Sequence, residues 1–147
     1  MMYNILVHLH SVNRWIVLAL IIYAIAKAFN GWFGKKEFTP SDKKSALFAL
    51  IFTHIQLILG IALYFISPFV SFEEGAIKDS ILRFYTMEHF SLMIIAIALI
   101  TLGYSLSKRA KADITKFKRI AVFYIIGLLI MLSSIPWPFR IPVAGWY

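Results

Sequence analysis

The chain contains no cysteine in its 147 residues. That absence removes disulfides, thiolate-bound metals, iron–sulfur clusters and covalent haem attachment through Cys-x-x-Cys-His. Charged residues are scarce as well, at 15%, with only 7 acids against 15 bases. A Gly-rich phosphate loop, a nucleophile elbow and a His-Glu-x-x-His zinc pattern are all missing. So are internal repeats and low-complexity tracts. Any chemistry must therefore rest on histidine, carboxylate, methionine or tyrosine.

What is present is hydrocarbon. Hydrophobic residues make up 61% of the chain and the mean hydropathy is +0.79, against roughly 45–50% apolar content in a soluble domain. Four apolar stretches, 4–29, 46–69, 85–106 and 120–136, approach or exceed the roughly 20 residues a helix needs to cross a bilayer. Trp137 and Phe139 extend the shortest of these into the interface. The fold class expected is all-α: a single integral membrane four-helix up-down bundle over residues 1–147, with lipid as its solvent. No positive segment precedes the first stretch, whereas Lys35 and Lys36 follow it. It reads as a retained helix and not as a cleaved signal peptide.

Basic residues cluster in alternate connections. Lys27, Lys35, Lys36, Lys43 and Lys44 flank the first, and Lys108, Arg109, Lys111, Lys116, Lys118 and Arg119 flank the third. The second carries Lys78 and Arg83 beside Glu73, Glu74 and Asp79. The positive-inside rule then places both termini outside a bacterial cytoplasmic (inner) membrane. The net charge of +8 is accounted for by topology and anionic lipid, and calls for no nucleic acid.

Polar groups inside the apolar stretches are few: His8, His10 and Arg14 in the first, Thr53, His54 and Gln56 in the second, Glu88 and His89 in the third, Ser133 and Ser134 in the fourth. Ionisable groups at such depth are costly and mark function by default. At 1.5 Å per residue, His10 and His89 each lie roughly 9 Å below the outer boundary, and His54 roughly 15 Å from the inner one. The first and third helices of an up-down bundle are diagonal partners, so His10 and His89 can approach a flat ligand from opposite faces. That is the arrangement of a bis-histidine b-type haem. Arg14, four residues from His10, shares its face and can pair with a propionate or with Glu88. Arg83 and Arg140, at the outer rim, are further propionate partners. His8 lies about 200° around the helix from His10 and is expected at the interface. Met93 is read as core filler and Gly60 as a point of close helix approach.

The segments "LHSVNRW", "HIQLILGIALYF", "RFYTMEHF" and "IPWPFR" resemble the small four-span bacterial membrane proteins labelled "cytochrome b" subunits. The resemblance covers nearly the whole chain. More distantly, "HIQLILGIALYF" is similar to a helix in the four-helix halves of haem A synthases, and "MEHF" to their Glu-x-x-His-Arg motif. Glu88 directly precedes His89 here, and Phe90 stands where the arginine would be. Synthase activity is not carried over, and the resemblance implies non-covalent haem on His10, His89 or His54.

The leading expectation is a haem-b electron-transfer protein, an oxidoreductase or a redox subunit, that exchanges electrons with quinone and a further redox partner. His10 and His89 would be its axial ligands, and His54 with Gln56 a second site for quinone, proton or metal. Two alternatives stand beside it. One is a haem-free Zn²⁺ or Cu²⁺ site built from His10, His54, His89 and Glu88. The other is a non-catalytic subunit or assembly factor of a larger complex, whose polar residues only lock the bundle.

Overall fold

The computed structural model describes residues 1–141 and 144–145. Four long helices, α1 (Met2–Phe33), α2 (Pro40–Ile66), α3 (Ser80–Arg109) and α4 (Asp113–Ser134), are joined by short connections, with one 3₁₀ turn at Ala76–Lys78. No strand occurs among the described residues. All four helices are long and apolar enough to cross a bilayer, and the chain is an all-α, multi-pass membrane protein.

Hydropathy locates the apolar middle of each helix, whereas capping chemistry and proline set the ends. α2 starts well before its apolar stretch because Thr39 and Asp42 form a reciprocal capping box, with Pro40 in the first turn. Asp79 starts α3 by accepting from the amides of Ile81 and Leu82. At the opposite ends one rule acts twice. Ser67 precedes Pro68 and Ile135 precedes Pro136, and a residue before proline is driven out of the helical region. Both residues are extended, with ψ of 133°, so α2 stops at Ile66 and α4 at Ser134, short of the hydropathy boundaries at 69 and 136.

α1 packs on α2 and α4, and α3 packs on α4 and, less extensively, on α2. α1 and α3 therefore face each other across the bundle. The end that carries the α1–α2 and α3–α4 connections, here the basic end, is closely packed through small residues. A Cβ at Gly31 would stand 2.2 Å from the Phe117 ring, and one at Gly103 would stand 2.5 Å from Phe123. Close approach of this kind is what holds helices together where lipid is as apolar as the side chains. The fully buried Tyr124 of α4 crosses the bundle to donate to the Ala46 carbonyl of α2 at 2.8 Å. Lys27 bonds Ser41 at 2.7 Å and pairs with Asp42 at 3.1 Å, which ties the end of α1 to the start of α2. Outward-facing side chains such as Ile58 and Leu129 stay exposed, as suits contact with lipid tails.

Candidate functional site

The other half of the bundle, nearer the two termini, is not filled. A cavity of about 220 Å³ lies between α1, α2 and α3, and is lined also by Met131 and Ile135. Most of its wall is apolar. His10, Arg14, Gln56, Tyr64, Tyr85 and His89 supply most of its polar groups.

His89 closes a π-helical turn, Phe84–His89, inside α3. Such single-turn insertions occur often at functional sites, because the extra residue re-aims the side chains around it. The turn is held from outside: Tyr64 donates to the Thr86 carbonyl at 2.8 Å, and the Thr86 hydroxyl accepts from the Ser71 amide at 3.1 Å. His89 Nδ1 lies 2.7 Å from the Ser134 carbonyl at the end of α4. A carbonyl only accepts, so Nδ1 carries the proton and Nε2 is left with the lone pair.

That carbonyl is available because of "IPWPFR". Ser134 would normally accept from the amide four residues on, which is Pro138 and has no N–H. Leu132 faces Pro136 in the same way, and its carbonyl takes the Trp137 indole N–H at 2.9 Å. The Ser133 carbonyl takes the Arg140 guanidinium. Three freed carbonyls thus recruit an indole, a guanidinium and a site imidazole.

His10 projects from the diagonal helix. Its ring centre is 6.5 Å from that of His89, and the planes are inclined at 70°. Gly60 of α2 makes room for it: a Cβ there would lie 3.3 Å from His10 Cε1. His10 Nδ1 is buried without a hydrogen-bond partner, and among the described hydrogen bonds neither imidazole engages its Nε2. A buried polar atom left unbonded costs roughly 1–3 kcal/mol and calls for an explanation.

A metal atom held between the rings would engage one nitrogen of each. A metal–imidazole bond of about 2.0 Å on each side, added to a ring radius of about 1.1 Å, separates two ring centres by about 6.2 Å. The spacing of the pair matches that of a bis-histidine metal centre such as that of haem. Leu57, Phe90, Met93 and Ile97 furnish apolar walls, and the room left by Gly60 lies beside one of the rings.

The other sequence candidates are dispersed. Arg14 is buried and lines the cavity, with its guanidinium carbon 5.3 Å from the Trp15 ring centre. Gln56 is occupied in a clasp: its amide donates to the His10 carbonyl at 2.9 Å and its oxygen accepts from Asn13 at 2.7 Å. Asn13 also lies 3.2 Å from the Phe52 carbonyl. His54 does not line the cavity, and its Nδ1 sits 2.9 Å from Leu50 O on its own helix. The expected second site of His54 with Gln56 is therefore not brought together. Glu88 is paired with Arg83 at 2.9 Å outside the cavity, with both side chains well exposed. Arg140 lies 5.5 Å from the Phe84 ring. The four-residue zinc or copper set is not assembled: among the described residues no three His, Asp or Glu side chains converge to hold an ion. His8 is exposed. Asn13, Tyr64 and Thr86 emerge only from the structure. Ser134, by contrast, had a readable signal in the two prolines that follow it.

No family model, no curated protein and no solved structure matches this chain.

Proposed function

We propose that the chain is a membrane haem-b protein for electron transfer, with His10 and His89 as axial ligands, akin to the four-span "cytochrome b" proteins it resembles. The observation that carries this reading is the imidazole pair, with ring centres 6.5 Å apart and His89 held in one tautomer by Ser134. Haem, bound without covalent attachment, supplies reversible one-electron chemistry.

The chain's own residues do the rest. The Ser134 carbonyl orients His89 and keeps the proton on Nδ1, which leaves the Nε2 lone pair for a ligand. Gly60 admits the His10 ring, and Gln56 fixes the turn of α1 that bears it. Leu57, Phe90, Met93 and Ile97 keep water from the site. Arg14 places positive charge where a carboxylate of the ligand is favoured. The α2–α3 seam is less extensive than its neighbours. Ile61 and Ile94 line the cavity there and are partly exposed, and this seam is the lateral route proposed for a membrane-soluble quinone. With the basic end in the bacterial cytoplasm, the site lies near the outer face.

The test is the absorption spectrum of the purified, haem-supplemented chain. The wild type should show the Soret and α bands of a low-spin bis-histidine haem. His10→Ala and His89→Ala should each abolish that spectrum, and His54→Ala should retain it. Absence of a Soret band in the wild type, or a low-spin spectrum that survives His10→Ala, would overturn the reading in favour of a structural subunit or a different ligand pair.

A further inference from the structure

A second cavity, of about 200 Å³, opens at the basic end between the start of α2, the end of α3 and the start of α4. Three elements point lysines at it: Lys43 from α2, Lys108 from α3 and Lys116 from α4. Lys116 is already neutralised by Asp113, at 2.7 Å, and its ammonium sits 5.5 Å from the Phe38 ring centre. Lys43 and Lys108 have no acidic partner among the described ion pairs. Two cations lining one hollow repel each other, and no acid lines it to relieve them. Tyr104, one turn from Lys108 on α3, also faces the cavity, and its hydroxyl makes no protein hydrogen bond among the described residues. Ser107 is committed, since its hydroxyl donates to the Lys116 carbonyl at 3.0 Å.

We infer that this cavity binds the phosphate headgroup of an anionic phospholipid. Lys43 and Lys108 neutralise the phosphate, and the Tyr104 hydroxyl donates to it. The position favours lipid over a free anion. The cavity lies where apolar spans give way to charged connections, which is headgroup depth. Its wall runs from Phe38 and Ile120 to the lysines, matching the change from glycerol and acyl chain to phosphate. Basic pockets between helices on the cytoplasmic side are the recurrent sites for such headgroups. The site is independent of the histidine pair at the other end of the bundle.

Native mass spectrometry of the delipidated full chain in neutral detergent, titrated with phosphatidylglycerol, phosphatidylcholine or inorganic phosphate, tests it. Phosphatidylglycerol should bind the wild type as one saturable adduct, ahead of the other two. Loss of each lysine should weaken that adduct about 5-fold, and Lys43→Gln with Lys108→Gln together about 25-fold. Tyr104→Phe, which keeps the charge, should weaken it less. Lys44→Gln with Lys111→Gln removes the same charge outside the cavity and should leave binding intact. The inference fails if the two double variants behave alike, if phosphatidylcholine binds equally well, or if inorganic phosphate saturates the site as tightly as the lipid. All four lysines are exposed, so these variants retain the fold, and an unchanged melting temperature without lipid verifies it.

Discussion

At the scale of single residues, the site is made by what surrounds two histidines. His89 owes its tautomer to a backbone carbonyl that Pro138 leaves free, and His10 owes its space to an absent side chain at Gly60. Gly60→Val should drive branched carbons into the His10 ring, since even a Cβ would lie 3.3 Å away. The expected result is a haem-supplemented protein with a weakened or high-spin Soret band but unchanged helical circular dichroism. An unaltered low-spin spectrum would show that the ring has room to move. Several polar residues that look equivalent in the sequence have ordinary duties. Gln56 clasps α1 to α2, Glu88 is paired with Arg83, and His54 lies beside the carbonyl one turn back on its own helix.

At the scale of elements, the π-helical turn of α3 decides which of its side chains meet the cavity. Inserting one residue into a helix frees backbone groups that must find partners, and in a membrane water is not available to provide them. Tyr64 provides one of them for Thr86. Tyr64→Phe keeps the ring, which stacks on Phe90 at 4.3 Å, but removes the donor. Leaving that carbonyl unsatisfied should cost about 1–2 kcal/mol, and the Soret maximum should shift as His89 is re-aimed. Thermal unfolding in detergent and an absorption spectrum read the two effects separately. A variant identical to wild type in both would mean that the turn is held by its own backbone.

At the scale of the whole molecule, the bundle is built unevenly. Small residues and the Tyr124 bridge close the basic half, while the half near the termini keeps an open volume between diagonal helices. Packing is looser where the proposed ligand would sit. Orientation follows from the charge distribution and is directly measurable, because the chain has no cysteine of its own. Single cysteines at Ser41 and Ala112 should be shielded from a membrane-impermeant thiol reagent in intact cells, whereas one at Glu74 should react. All three positions are exposed, so the pattern reports sidedness. The reverse pattern would invert the bundle and put the histidine pair near the cytoplasm.

The sequence alone determined the solvent, the number of helices, their alternation and the two residues that meet. These properties are carried by long-run averages and by rise per residue. Runs of apolar residues need only be long enough to span. Two histidines six residues from their respective boundaries must come level in an up-down bundle, whatever the side chains between them. Pro68 and Pro136 also carried a signal for the ends of α2 and α4, which the hydropathy boundaries at 69 and 136 overran. Tertiary structure decided the rest: the π-helical turn, the clasp of Asn13 and Gln56, the Ser134 bond and the exclusion of His54 and Glu88 from the site. Each depends on the rotation of a helix about its axis and on which polar group wins the nearest free partner. Neither is encoded in hydropathy, because both are settled by contacts between residues far apart in the chain, 45 positions in the case of His89 and Ser134.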